Sequence, residues 1–443
     1  MSNVKFYKNI LANALVHWRC PLTTSAIALL QEAYGRGKVR KGTMGFVASI
    51  EQRIYCCLVG AACMSSLSIA GTNIFLALGA IGFLHRAWRK HDDLPGRLSG
   101  ISRFLWVPYL LLALAALLSI AGAPHPLADL LDFGNSYLLR PLPFLLVVLF
   151  VRDGKKARGL ALAMAASVGL NALLAIGQWL MHDMAYGARW SGGIFYMAQG
   201  TILAAALPIA LLLIMREKKY RACCTLLFLL LAAAFLLNGT RGAWVASLAV
   251  MSAIAFVGLK WKSFLAGTVA MVLLVGAGFT LIPPIHDRME TILHYQKEHS
   301  YSERALLWKS SAAMLMDHPL TGVGQGEFRD AYQTKYIRPE AKEPWLGHAH
   351  DNVVHAFAET GILGGMAFLA FWVSTVYCAI RSWHRHHDTA SLAMAALIMA
   401  FMLHGLTEYT WGGATQSKFL FLALGICVAF QNIRSASGSD FHS

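Results

Sequence analysis

The chemistry-bearing residues of this 443-residue chain concentrate in one polar stretch, residues 284–360, and most tightly in Gly347-His348-Ala349-His350-Asp351-Asn352. The stretch holds eight Lys and Arg, a cluster of His and no Cys. Histidine can take up a proton near neutral pH. A guanidinium can grip a carboxylate or phosphate through two parallel hydrogen bonds. A long wet segment carrying both, inside a chain that is otherwise apolar, is where chemistry is expected. His348 with His350 also suggests a metal, but no Cys or carboxylate partner stands at ligand spacing and no CxxC pattern occurs.

Three more arginines stand at the ends of apolar runs: Arg140 in Tyr-Leu-Leu-Arg-Pro, Arg189 in Ala-Arg-Trp-Ser-Gly-Gly, and Arg241 in Asn-Gly-Thr-Arg-Gly-Ala-Trp. One such residue is explained by snorkelling to lipid head groups. Three of them, on the side that carries few other cations, point to a shared anionic ligand.

The elements that must position these residues are membrane helices. The composition is 57% hydrophobic and 14% charged, against about 25% charged in soluble domains. The fold class is therefore all-α, polytopic and membrane-embedded. Apolar runs at 54–70, 73–86, 104–122, 137–151, 159–181, 196–215, 222–238, 243–259, 264–283, 361–380, 390–405 and 416–432 predict about twelve transmembrane helices. The chain divides into an amphipathic cytoplasmic segment 1–53, helices over 54–283, a large helical outside loop 284–360, helices over 361–432 and a tail 433–443. Lys and Arg collect in alternate short loops, such as Arg152, Lys155, Lys156 and Arg158, or Arg216, Lys218, Lys219 and Arg221. The positive-inside rule then puts both termini in the cytoplasm and the polar loop outside, in a periplasm if the cell is Gram-negative. The net charge of +15 belongs to those loops, and no nucleic-acid-binding motif accompanies it.

Within the polar loop, Ser300 or Ser302 is expected to cap a helix running to about Met316. Arg304 and Trp308 would share one of its faces. Pro319, Gly322 and Gly324 break it, residues 325–336 suggest a second short helix, and Pro339 and Pro344 mark a turn. His350 falls near the start of the next helix. The eight Cys read as small buried apolar residues without disulfides. Trp190, Tyr196, Trp345, Tyr409 and Trp411 read as a membrane-interface belt. Glu408 and Lys418 read as parts of a solvated turn in preference to an ion pair or a contact with ligand.

Two motifs resemble the O-antigen ligase family, within a superfamily that also holds O-antigen polymerases and bacterial O-oligosaccharyltransferases. One is Arg304-x3-Trp308-x10-Pro319-x2-Gly322-x-Gly324-x3-Phe328. The other is His350-Asp351 followed, nine residues later, by Gly361-Ile362-Leu363-Gly364. The family has Asn, Ser or Gln after the His, so Asp351 is a departure, with Asn352 next to it. Gly-Thr-Arg241-Gly-Ala resembles the family's outside Arg between two late spans. The resemblance implies a GT-C-like glycosyltransferase of the bacterial inner membrane. Its donor would be an undecaprenyl-pyrophosphate-linked O-antigen and its acceptor a hydroxyl of lipid A-core, among membrane lipids and without nucleic acid. It implies direct, inverting displacement with no metal or other cofactor. His350 would be the general base, and Arg304 and Arg241 would stabilise the leaving pyrophosphate. Arg189, Arg140, Trp308, Arg338, His348 and Asn352 would contact substrate.

Two other readings remain. A polymerase or protein oligosaccharyltransferase of the same superfamily would share these motifs, although one large late loop and this length lean to the ligase. A transporter for an anionic substrate would use the same Arg but predicts broken helices and ionisable residues at mid-membrane, of which the runs show few.

Overall fold

In lipid, a segment must satisfy its own backbone N–H and C=O groups, and the helix is the form that does so locally. The computed structural model describes residues 49–89, 96, 98, 100–182, 189–258 and 299–439, and they form helices with no strand among them. Residues 1–48 of the predicted segment 1–53, the ninth span at 264–283, loop residues 284–298 and the end of the tail lie outside the described residues. In chain order the helices are α1 (Ile50–Met64), α2 (Ile69–Arg89), α3 (Arg103–Ser119), α4 (Pro126–Phe133), α5 (Leu142–Phe150), α6 (Gly154–Met181) and α7 (Tyr196–Arg216). They continue with α8 (Arg221–Asn238), α9 (Arg241–Gly258), α10 (His299–Asp317), α11 (Phe328–Ala331), α12 (Asn352–His386), α13 (Thr389–Gly405) and α14 (Ala414–Ser439). Among the described residues, eight segments are long and apolar enough to cross a membrane, and α9 and α13 are apolar but shorter. The chain is an all-α polytopic membrane protein.

α7 and α14 are the most buried of these segments, and α8 and α2 the least. α7 packs on α8, α9 and α13. Its buried stripe is built from small residues, Ala198, Gly200, Thr201, Ala204 and Ala205, which let helix backbones approach where no hydrophobic effect drives them together. The outer faces of α3 and α8 expose Leu110, Leu111, Leu114, Leu226 and Leu229, as lipid-facing surfaces should.

Several expectations need correction. The first run folds as a helix of 15 residues, Ile50–Met64, because the Ser65-Ser66-Leu67-Ser68 turn ends it and Ser68 Oγ accepts the Gly71 N–H at 3.2 Å. It pairs with α2 as a hairpin. The fourth run begins at Pro126, not 137, and is broken. A π-turn spans Gly134–Leu139, and the Arg140 N–H reaches back to Asn135 O. Pro141 and Pro143 supply no N–H of their own to the helix that follows. Of the described cysteines, all free, only Cys427 is buried, while Cys56 and Cys223 are exposed. α10 starts at His299, so Ser302 lies inside the helix and not at its cap.

The polar loop has a small core of its own, made by Leu307, Met314, Phe328, Tyr332, Tyr336, Ala349 and Ala358. A backbone interlock fastens it to α12. Gly361 has φ 64°, which interrupts the helix. The freed Ala358 and Glu359 carbonyls accept the N–H groups of Val323 and Gly324 at 3.0 and 2.9 Å, and Ile362 N–H donates to Pro319 O at 2.8 Å. The Pro319–Gly324 motif and the Gly361 motif are thus two sides of one joint. Gly322, at φ 66°, would press a Cβ onto the Ala358 and Glu359 backbone, and Gly361 would press one onto Leu320 and Thr321. The helix therefore runs through the boundary predicted at 360/361 and starts at Asn352.

Gly361→Ala should destabilise the folded protein by about 1–3 kcal/mol through left-handed strain and the backbone clash. Thermal unfolding in detergent checks this. An unchanged midpoint would mean that the joint tolerates a side chain.

Candidate functional site

Four stretches of chain meet at the loop-bearing ends of the helices. The first is α10, which carries Arg304 and Trp308 one turn apart. Trp308 Nε1 donates to Ala349 O at 3.0 Å, and this ties the helix to the His348-Ala349-His350 segment. The second is that segment. His350 has φ 50°, a left-handed conformation uncommon for a side-chain-bearing residue. The next residue, Asp351, is the N-cap of α12: its Oδ1 accepts the N–H groups of Val353 and Val354 at 2.7 and 3.0 Å. This gives the departure from the family's Asn, Ser or Gln a plain physical reason, since Asp caps a helix as well as Asn or Ser does.

The third stretch is the turn 406–413 between α13 and α14. Asn352 holds it from beneath, donating from Nδ2 to Thr410 Oγ1 at 2.7 Å and accepting the Trp411 N–H on Oδ1 at 3.0 Å. Arg140 Nη1 and Ser417 Oγ both donate to Trp411 O, at 2.9 and 2.7 Å. The turn presents Glu408, which is 5% exposed, to His350. His350 Nδ1 lies 3.1 and 3.2 Å from the two carboxylate oxygens. Arg304 Nη2 stands 4.0 Å from Glu408 Oε2. The expectation of a solvated turn is overturned for Glu408, and also for Lys418, which is 6% exposed with Nζ donating to Asn73 Oδ1 at 2.5 Å.

The fourth stretch is Asn238-Gly239-Thr240-Arg241. Asn238 Nδ2 donates to Tyr196 O and to Gln199 Oε1, both at 2.9 Å, and Thr240 Oγ1 donates to Asn238 Oδ1. This pins the turn to the start of α7. Gly242 lies directly against Thr407 and His404, so Arg241 opens α9 beside the turn that carries Glu408. Arg189 lies with its guanidinium 4.4 Å from the centre of the Tyr196 ring.

The structure brings His350, His348, Arg304 and Glu408 together and sets Arg241 alongside. It gives other predicted residues different work. Asn352 and Arg140 are buried beneath the turn and fix it. Trp308 fixes the His segment. Arg338 donates to Lys309 O at 3.2 Å, a bond that braces α10 within the loop. The functional residue that sequence reasoning missed is Glu408. Its signal was an acid within four residues of His404 in the middle of an apolar region, where an ionisable group needs a reason.

Electrostatics define the protonation states. Burial would raise the Glu408 carboxyl, but the hydrogen bond and charge of His350, with Arg304 nearby, bring it down to about 2. It is a carboxylate at neutral pH, so His350 Nδ1 must be the N–H that it binds. His348, whose ring lies 4.2 Å from that of His350, is pushed down to about 3 by burial first and then by His350. It stays neutral. The nearest ligand atoms of His348, His350 and Glu408 fall within 4.8 Å of one another, so these three could also hold a cation. Beneath them lies a void of about 10 Å³, lined in part by Tyr137, Gln325, His355 and Tyr409, enough for about one water.

Residues 226–369 match the family described as O-antigen ligase. The matched stretch includes Arg241, Arg304 and His350 and ends before Glu408. No curated protein matches the chain.

Asp351→Ala should cost about 0.5–2 kcal/mol of stability through the lost cap, while Asp351→Asn keeps it; unfolding midpoints of the two variants distinguish a cap from a catalytic acid. His348 protonates near pH 3 when folded and near pH 6.5 as an unperturbed group, and Glu408 near 2 against 4.5. Both folded values are depressed, so the stability they provide is complete above pH 6.5 and is lost as pH falls toward 2. His348→Gln should flatten the fall in unfolding midpoint between pH 6.5 and pH 4. A slope equal to wild type would refute the buried neutral His348.

Proposed function

We propose, for a chain whose residues 226–369 match the O-antigen ligase family, that it is a membrane glycosyltransferase moving O-antigen from undecaprenyl pyrophosphate to a hydroxyl of lipid A-core at the outer face of the inner membrane. The observation that supports this best is the His350–Glu408 pair with Arg304 at its edge. Glu408 fixes the His350 tautomer, and Nε2 takes the proton of the acceptor hydroxyl as its oxygen attacks the anomeric carbon. The bond from that carbon to the pyrophosphate oxygen breaks, and the leaving group carries away its electron pair. Glu408 steadies the imidazolium that results. Charge builds on the departing pyrophosphate, and a guanidinium offers several donors at fixed angles to receive it. Arg304 and Arg241 take that role, with Arg189 a further contact to phosphate.

Attack from the face opposite the leaving group inverts the anomeric centre. The donor arrives already activated, so proton removal and anion stabilisation suffice without a metal. A polymerase of the same superfamily would use the same groups on another acceptor. A transporter reading would point to the broken fourth span and its buried Arg140. That Arg is bonded to Trp411 O and so supports the catalytic turn.

The test is glycan transfer in a reconstituted system. Purified protein is mixed with undecaprenyl-pyrophosphate glycan and rough lipopolysaccharide, with EDTA, below its unfolding midpoint. His350→Ala should lower transfer by about 10²- to 10⁴-fold. Glu408→Gln should lower it by about 10- to 100-fold while leaving the donor KM nearly unchanged. Activity that vanishes with EDTA and returns with a divalent ion, in Glu327→Gln as in the wild type, would transfer the roles of His348, His350 and Glu408 to a metal. Elongation of the lipid-linked glycan with no product on lipopolysaccharide would assign the chain to polymerases. Full activity in His350→Ala would refute the mechanism.

A further inference from the structure

We propose that the cluster of His125, Glu327 and Asp330, where the start of α4 meets the loop segment Gly324–Asp330, is a divalent-cation site with these three as ligands and Asp129 buried against Glu327, separate from the His350–Glu408 cluster. The ligand atoms of His125, Glu327 and Asp330 lie within 4.8 Å of one another. That is the spread expected around one ion with bonds of about 2.0–2.6 Å. Glu327 is 4% exposed, and its Oε1 is 2.9 Å from His125 Nδ1. The Asp129 carboxyl also lies against Glu327. Asp129 is 5% exposed, and its buried Oδ2 has no hydrogen-bond partner.

Two buried carboxylates in contact repel each other, and the low dielectric makes the repulsion worse. A positive charge between them removes the conflict. Among the described residues, no Lys or Arg forms an ion pair with Asp129, Asp132, Glu327 or Asp330, in a chain whose net charge is +15. The backbone is shaped to bring the groups together. Gly326 has φ 92°, and a Cβ there would stand 3.3 Å from Asp129 Oδ1. Two carboxylates and one imidazole form a hard-to-borderline donor set, suited to Mn²⁺ or Zn²⁺ more than to a thiophilic metal. The ion would pin the loop to α4. It touches none of the groups assigned to transfer, so its role is to hold the loop.

The experiment uses the full chain in detergent without substrate, so its result does not depend on the transfer reading. Mn²⁺ binding is followed by electron paramagnetic resonance. Unfolding midpoints are compared in EDTA, Mn²⁺, Zn²⁺ and Ca²⁺. Mn²⁺ or Zn²⁺ should bind and raise the midpoint. Asp129→Asn and Glu327→Gln should weaken binding by at least about tenfold, and His348→Gln should leave it intact. Asp330→Asn, at an exposed position, keeps the fold and should also weaken binding, which guards against misfolding of the buried variants. Binding lost in His348→Gln would locate the ion at the other cluster and overturn the proposal. No binding to wild type, together with a higher midpoint for Asp129→Asn in EDTA, would show that the carboxylates share a proton, and would overturn it as well.

Discussion

The structure depends on an exchange of hydrogen bonds at Gly361. A helix that simply ran on would keep the Ala358 and Glu359 carbonyls for itself. By turning left-handed for one residue, α12 gives them to Val323 and Gly324 and takes Pro319 O in return. Without that exchange the loop would rest on its own small core and on side-chain contacts alone. With it, α10 is held in place, Trp308 can bind Ala349 O, and Arg304 reaches the edge of Glu408. Each of these bonds is worth only about 1 kcal/mol net, but they act on one rigid element. The accuracy of the site derives from helix geometry more than from the loop.

A second layer lies under the turn 406–413. Asn352, Arg140 and Ser417 converge on Thr410 and Trp411, and they come from α12, the broken fourth span and α14. A turn between two helices would ordinarily be the mobile part of such a protein. Here its backbone polar groups are bonded to side chains from three other elements, and Glu408 is consequently presented to His350 on a fixed support.

Much of this was legible in the sequence. Membrane helices follow from composition and run length, because lipid leaves few alternatives. The helix carrying Arg304 and Trp308 followed from the serines near its start and the Pro319 and glycine breakers after it, and the gathering of His348, His350 and Arg304 from their place in one polar stretch. The parts that were not legible depend on contacts between distant segments. Pro126–Phe133 looked like a link between spans, since nothing local shows that a π-turn would join it to α5. Gly322 and Gly324 looked like helix breakers, and Gly361 like the start of a span. Only their juxtaposition shows that each leaves room for the other's backbone. Glu408 looked solvated because burial of a turn is decided by what packs over it, here a segment 58 residues away in the chain.

The stretch that resembles the family ends at residue 369, yet the carboxylate that orients its histidine arrives from beyond that point, and the side chains that steady the carboxylate's turn come partly from before residue 226. The unit of ancestry that can be recognised is therefore smaller than the unit that can act. Exchange of the matched segment between proteins would carry His350 without the carboxylate that holds its Nδ1. Change at Glu408, Arg140 or Ser417 would alter the surroundings of that histidine while the recognisable motif stayed untouched.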